Sequence, residues 1–129
     1  MRRAFNLPEE DVQYLESTGL QWETIVDSGI RWVIINDYPV PENYNVVKVN
    51  VALMIGSMYP TEQIDMAYFK PDLVRTDGKT IGALSSQMID GSQWQRWSRH
   101  RTSINPWRPG LDNISSHMAC VDFWFKLLK

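Results

Sequence analysis

The 129-residue sequence predicts an α+β domain with a short N-terminal helix, a four-stranded antiparallel meander, a long loop and a C-terminal helix. Aliphatic residues occupy every second position of residues 47–55, which is typical of a strand with one buried face. Near the C-terminus, apolar residues recur every three or four positions instead, as on one face of a helix. No repeat or low-complexity tract divides the chain, so residues 1–129 are expected to form a single domain.

The first predicted element is a helix over residues 8–18. Asn6 can cap its free amide groups, Pro8 suits its first turn, and Gly19 stands where a helix commonly ends. From residue 7 to residue 27 the chain has six acidic residues and no Lys or Arg. Four of the acids fall on this helix: Glu9, Glu10, Asp11 and Glu16. The helix is therefore expected to be acidic.

Four strands follow in the predicted meander. Residues 21–26 and 30–35 flank a tight turn at residues 27–29, which is a hairpin signal. Residues 37–43 are expected to be irregular, because Pro39 and Pro41 each lack a backbone donor. Residues 47–55 and 64–69 complete the meander, since such short connections favour antiparallel neighbours.

The second half of the chain has a different pattern. Residues 80–88 are ambiguous, and residues 92–109 are rich in Trp, Arg, Ser and Pro without periodicity, which indicates a long loop. Trp94, Trp97 and Trp107 argue that this loop is ordered. An amphipathic helix is then predicted over residues 111–128.

Composition excludes several classes of protein. The net charge is −2, whereas nucleic-acid-binding surfaces usually accompany a basic balance, so no nucleic-acid partner is expected. No apolar run reaches the roughly 18–20 residues of a membrane span, so no membrane partner is expected and the protein is expected to be cytoplasmic. A single Cys excludes an internal disulfide and an all-Cys zinc site, and we expect neither a cofactor nor a metal.

The predicted order of helices and strands, together with two short motifs, resembles the ubiquitin-conjugating (E2) fold. Tyr59-Pro60 follows the third strand, and a Trp-x-Pro element at residues 107–109 precedes the last helix. More narrowly, residues 58–60, 65–71 and 94–100 resemble prokaryotic E2 family E, and the resemblance spans residues 7–128. The resemblance implies a bacterial ubiquitin-like conjugation pathway, with an E1-like enzyme and a ubiquitin-like modifier as partners. It also implies a JAB-type metallopeptidase in the same pathway, and a role in antiphage defence.

The chain departs from this family resemblance at the reactive residue. An ordinary E2 carries a Cys about eight residues before the Trp of its Trp-x-x-Pro element, and here that position falls at Arg99, beside Ser98. The His-Pro-Asn element that supplies the usual oxyanion-stabilising Asn is also absent. The sequence therefore does not predict ordinary Cys thioester chemistry.

Ser98 is the predicted acceptor of the modifier, as an oxyester. A hydroxyl needs a base, and His100 lies two residues away, on the same face of an extended segment. Arg99 and Arg101 would occupy the other face and, with Asn105, provide electrostatic support for the developing oxyanion. Three alternatives stay open: an inactive module that binds E1 or the modifier, another nucleophile such as Thr102 or Ser103, and a hydrolase, which the absence of a Gly-x-Ser-x-Gly motif disfavours.

The remaining candidates are given structural roles. Cys120 is expected in the middle of the last helix with only His117 one turn away, a weak setting for a reactive thiol. A metal site formed by these two residues and His100 is disfavoured because it has no carboxylate at a recognisable spacing. The acidic first helix is expected to contact the E1, as the family resemblance implies, and therefore to meet a basic patch on that partner.

Overall fold

The computed structural model describes residues 1–127, in which two helices pack on one face of a six-stranded antiparallel sheet. In chain order the elements are α1 (Glu9–Ser17), β1 (Trp22–Asp27), β2 (Ile30–Pro39), β3 (Lys48–Ile55), β4 (Ala67–Lys70), β5 (Leu84–Ile89), β6 (Ser92–Trp97) and α2 (Ile114–Lys126). The α+β class and the element order are confirmed, but the prediction of four strands is wrong. The spatial order of the strands is β1-β2-β3-β4-β6-β5.

Helix α1 is slightly shorter than predicted. Pro8 occupies the N-cap position and no side chain caps the helix, so the predicted cap by Asn6 is wrong. At the other end, Gly19 has a φ of 72°, which is the left-handed conformation expected of a glycine that ends a helix. The first-turn acids favour the helix because they complement its positive N-terminal dipole.

Strand β2 continues into the first three residues of the segment 37–43 predicted to be irregular, and residues 40–43 lie outside regular structure. Its pairing with β1 stops at Ile35, and its pairing with β3 resumes after a register shift at Tyr38 and ends at Pro39. Because β1 does not pair with β2 beyond Ile35, the lack of an N–H at Pro39 costs no hydrogen bond to β1. Asp37 lies within this register shift and has a φ of 58°. The strand is therefore locally irregular at Asp37 but does not end there.

The two unpredicted strands form a hairpin within the segment assigned to ambiguous structure and loop. Asp90 and Gly91, at φ 53° and 79°, make the two-residue turn between β5 and β6. β6 then pairs with β4, with Ala67 opposite Trp97. The ordered loop is consequently shorter than the predicted 92–109, because it begins after Trp97.

Side chains are buried on both faces in the centre of the sheet, and in β6 the adjacent Trp94 and Gln95 are both buried, so this strand lacks an alternating pattern. The helices cover one face, where Trp97 and Phe125 pack with their ring centroids 5.7 Å apart. On the opposite face Trp94 joins a second cluster around Trp32 and Tyr68. The burial of apolar side chains on both faces stabilises the sheet and holds its strand ends in fixed positions.

Helix α2 begins three residues later than predicted. Asn113 accepts a hydrogen bond from the Ser116 amide, and the Ser116 hydroxyl accepts one from the Asn113 amide, which is a capping box. Leu111 therefore lies outside the helix, and 68% of its surface is exposed. The predicted last apolar position, Leu128, lies outside the described residues. Neither helix in residues 1–127 combines the length and apolarity needed to cross a bilayer.

Candidate functional site

Ser98 follows directly after β6, on backbone that is hydrogen-bonded to two neighbouring segments. Its N–H donates to the carbonyl oxygen of Ala83 over 3.0 Å, and the Arg99 carbonyl accepts from the Met66 N–H over 3.1 Å. Trp97, which precedes it, is only 1% exposed. Ser98 is thus a half-buried residue at the first position of the loop, on backbone anchored to two neighbouring segments.

His100 faces a carboxylate that the sequence analysis did not associate with it. Its Nδ1 lies 2.9 Å from Oδ2 and 3.0 Å from Oδ1 of Asp65. No hydrogen bond within residues 1–127 joins the imidazole to the hydroxyl of Ser98. Ser98 and His100 are two residues apart in the chain, but the structure does not pair their side chains.

Arg99 is engaged in bracing the backbone. Its Nη1 donates to the carbonyl oxygen of Gly82 over 3.0 Å and to that of Ser98 over 3.2 Å. Its guanidinium group lies 5.1 Å from the centroid of the Trp97 ring, in cation–π contact. The side chain ties the Ser98 backbone to the neighbouring segment while keeping its positive charge near it.

Arg101 is buried and closes the base of the loop. Its side chain is 7% exposed, and Nη1 lies 3.8 Å from Oδ2 of the buried Asp112. The guanidinium lies 5.3 Å from the ring of Trp107, whose indole N–H donates to the Pro60 carbonyl over 3.0 Å. Burial opposes ionisation of Asp112, but the Arg108 amide and the two guanidinium groups nearby hold its pKa below the usual range. Arg101 therefore acts as a clamp on the loop, not as an outward-facing donor.

The acids of α1 divide into surface and interior groups. Glu9, Glu10 and Glu16 are exposed, and we call these three the acidic surface of α1. Asp11 is 1% exposed, and its carboxylate accepts hydrogen bonds from the Tyr59 hydroxyl (2.7 Å) and the Ile114 N–H (3.0 Å). Burial raises the pKa of Asp11, and both hydrogen bonds oppose that rise. Asp11, which the sequence predicts to contact a partner with the other three acids, is instead buried and joins α1 to the start of α2.

A cavity of about 390 Å³ lies between the loop and α2. It is lined by His100, Thr102, Asn105, Ala119, Cys120, Phe123 and Trp124. The side-chain amide of Asn105 lies 3.9 Å from the Cys120 sulfur, near enough for a weak hydrogen bond. The Cys120 thiol, which the sequence predicts to be far from the reactive segment, thus shares a cavity with the predicted site residues His100 and Asn105.

His117 is a structural residue of α2. It is 1% exposed, and its Nε2 donates to the Met66 carbonyl over 2.8 Å. Burial lowers its pKa from the usual 6.5 to about 4, so the ring is neutral at pH 7. Among residues 1–127, no group of three or more His, Cys, Asp or Glu side chains is arranged to hold a metal ion.

Replacing His117 with Gln is expected to reduce the acid sensitivity of the fold. Because the folded-state pKa is about 4 against 6.5 in the unfolded chain, protons bind the unfolded state first as the pH falls. The native protein should therefore lose up to about 3 kcal/mol of unfolding free energy between pH 6.5 and 4 that the variant does not lose. Urea unfolding at pH 7 and 4.5 measures the difference. Equal losses in the two proteins would show that His117 is not the buried neutral group.

The contacts that sequence reasoning missed join residues far apart in the chain. Asp65 and His100 are separated by 35 positions, and Asp11 and Tyr59 by 48. Each acid is unremarkable in its own segment. A sheet register in which β6 pairs with β4 would have placed Asp65 near His100, but that pairing was not predicted.

Comparison with known proteins gives one match. A family model described as prokaryotic E2 family E matches residues 7–127. No curated protein and no solved structure matches the chain.

Proposed function

Because that match covers nearly the whole chain, this protein belongs to prokaryotic E2 family E, and we propose that it carries a ubiquitin-like modifier as an oxyester on Ser98. Membership of the family indicates an E2-like role in ubiquitin-like conjugation. The proposal about Ser98 is supported chiefly by one observation. Backbone hydrogen bonds to Ala83 and Met66 anchor the segment of Ser98 directly after β6, two residues from a His100–Asp65 pair.

The proposed loading step exchanges one acyl bond for another. An E1-like enzyme presents the C-terminal carboxyl group of the modifier in activated form, at the expense of ATP. The Ser98 oxygen attacks the carbonyl carbon, a C–O ester bond forms, and the bond to the E1 leaving group breaks. The hydroxyl proton passes to Nε2 of His100 and then to the leaving group. Because Ser98 and His100 are not hydrogen-bonded here, the step requires their approach when the partner binds.

Electrostatic support for the oxyanion is proposed from Arg99 and Asn105. Arg99 keeps its charge next to the Ser98 backbone. Asn105 stands on the exposed part of the loop, where its side-chain oxygen accepts from Arg101 over 3.5 Å and its side-chain nitrogen lies 3.9 Å from the Cys120 sulfur. One well-placed donor is worth about 3–4 kcal/mol in acyl transfer. Arg101 contributes through the loop, because its contacts with Asp112 and Trp107 fix the loop base.

A catalytically inactive module that holds the E1 or the modifier is the second candidate function. The observation in its favour is that the Ser98 hydroxyl and His100 are not paired, while the Arg99 guanidinium donates to backbone carbonyls and the Arg101 side chain is buried beside Asp112. Such a module would bind without forming a covalent adduct.

One incubation separates the two functions. The protein is mixed with its E1, the modifier and ATP, and denaturing gels are run with and without mild hydroxide or a thiol reductant. The carrier function predicts an adduct that hydroxide cleaves and the reductant does not. Normal charging of the E1 without any adduct would support the binding module. An adduct cleaved by the reductant and lost in Cys120→Ser would contradict both.

The acidic surface of α1 is proposed to bind a basic patch on the E1. Changing Glu9, Glu10 and Glu16 together to Lys is expected to weaken binding about tenfold at low salt, because favourable charge pairs become repulsive. Titration calorimetry at two salt concentrations measures this, and the difference should shrink at high salt. Glu42→Lys, an exposed acid outside α1, is the matched control. Equal losses in the control and the triple variant would remove this surface from the proposal.

A further inference from the structure

Asp65 is brought to His100 by the register of two neighbouring strands. β4 and β6 are antiparallel with Ala67 opposite Trp97, so residues just before β4 lie beside residues just after β6. The hydrogen bond from the Met66 N–H to the Arg99 carbonyl extends this pairing by another step. The carboxylate of Asp65 is therefore held opposite the imidazole by backbone structure, not by a chance surface encounter.

The contact fixes which imidazole nitrogen can act as a base. Both Asp65 oxygens lie within 3.0 Å of Nδ1, and an ionised carboxylate is an acceptor only, so Nδ1 carries the proton. Nε2 is then the nitrogen with the free lone pair. The same ring lines the cavity that also contains Thr102, Asn105 and the Cys120 thiol. Among charged groups, the guanidinium groups of Arg99 and Arg101 are its neighbours along the chain.

We propose that Asp65 is a positioning residue, which holds His100 in the tautomer protonated at Nδ1 so that Nε2 accepts the proton of the acyl acceptor. This inference rests on the proposed carrier function and adds a residue to it. Asp65 does not touch the reacting atoms. It acts through His100, in the way that the acid of a Ser-His-Asp arrangement orients its imidazole.

Asp65→Asn tests the tautomer directly. The side-chain amide of Asn can donate to Nδ1, which would move the ring proton to Nε2 and remove the base. General-base catalysis contributes about 10²–10⁴-fold to a rate, and the pair is partly exposed, so we expect adduct formation to slow about 10–100-fold. Asp65→Glu keeps an acceptor carboxylate and should restore part of the rate.

The experiment combines kinetics with a spectroscopic measurement. The rate of adduct formation is measured against the concentration of charged E1, and the imidazole nitrogens of His100 are observed by ¹⁵N NMR. Asp65→Asn should lower the maximal rate, leave the half-saturating E1 concentration unchanged, and shift the ring from the Nδ1–H to the Nε2–H form. Asp37→Asn, an exposed acid 4.0 Å from Lys48, is the matched control and should behave like the native protein.

Each outcome has a definite meaning. A slower maximal rate together with the changed tautomer, both partly reversed in Asp65→Glu, supports the proposal. A native rate in Asp65→Asn, or a slower rate with an unchanged tautomer and a lowered unfolding midpoint, overturns it and leaves the carrier function standing. If the native protein forms no adduct while its E1 charges normally, the carrier function fails and the role of Asp65 fails with it.

Discussion

Replacing Ser98 with Ala is expected to reduce the ester-linked adduct at least 100-fold. The variant lacks the oxygen to which the modifier is proposed to bind, and no neighbouring hydroxyl is held on the same anchored segment. The substitution removes one oxygen atom from a half-buried side chain. Because the hydrogen bond from Ser98 to Ala83 is made by its backbone, the fold should not change. Densitometry of the hydroxide-sensitive band, with E1 charging as the internal standard, measures the loss.

Matched hydroxyl and thiol variants serve as controls for Ser98→Ala. Ser103→Ala and Thr102→Val remove the other candidate hydroxyls of the loop, and Cys120→Ser removes the thiol of the cavity. All three should retain at least half of the native adduct. If Ser98→Ala retains its adduct while one of the three loses it, the acceptor is that residue and not Ser98.

Asp11→Ala is expected to destabilise the protein by about 3 kcal/mol. The carboxylate is buried and accepts hydrogen bonds from the Tyr59 hydroxyl and the Ile114 amide. Its removal leaves both donors without their partner in a buried site, at about 1–3 kcal/mol each. Urea unfolding at pH 7, monitored by tryptophan fluorescence, gives the free energy of unfolding.

Two variants distinguish this network from a simple surface effect. Tyr59→Phe removes one of the two hydrogen bonds and should cost about 1 kcal/mol, while Glu10→Ala, on the exposed side of α1, should change stability by less than about 0.5 kcal/mol. A loss in Asp11→Ala no larger than that in Glu10→Ala would contradict the assignment. Such a result would return Asp11 to the acidic surface of α1.

The elements that the sequence predicts are those whose apolar residues follow a regular spacing or flank a tight turn. β3 alternates because Val49, Val51 and Leu53 face the core, and α2 repeats at helical spacing for the same reason. The sequence does not predict β6, because the adjacent residues Trp94 and Gln95 are both buried although they face opposite sides of the sheet. Because a polar residue of β6 is buried next to a buried Trp, side-chain polarity does not alternate with the two faces of the strand.

The candidate site is only partly visible in the sequence. The family resemblance implies a reactive residue about eight positions before Trp107, which falls at Arg99 beside Ser98. The nearness of Ser98 to His100 follows from strand geometry. The Asp65 contact depends on pairing between β4 and β6, and no local pattern specifies which strands become neighbours. The division of the α1 acids into exposed and buried groups also depends on packing, because Asp11 meets residues from two other segments.

Two contacts hold the loop in place and explain how a site outside regular structure can still be preorganised. Arg101 and Asp112 close the loop at its base, and Trp107 fixes its far end against Pro60. The exposed stretch between them, at residues 102–106, overhangs the cavity next to α2. The reactive segment is therefore rigid at the Ser98 end and at the loop base, and open to partners at its tip.

Peptide mapping of the adduct tests the central claim most directly. Trypsin cleaves after Arg96 and Arg99, so Ser98 is released in the peptide of residues 97–99, whereas Thr102, Ser103 and Cys120 are all released in residues 102–126. Mass spectrometry of the acid-quenched adduct is predicted to find the C-terminal remnant of the modifier on residues 97–99, attached through a hydroxide-labile bond. A remnant on residues 102–126, or on no peptide of the chain, would contradict the assignment of Ser98 as the acceptor.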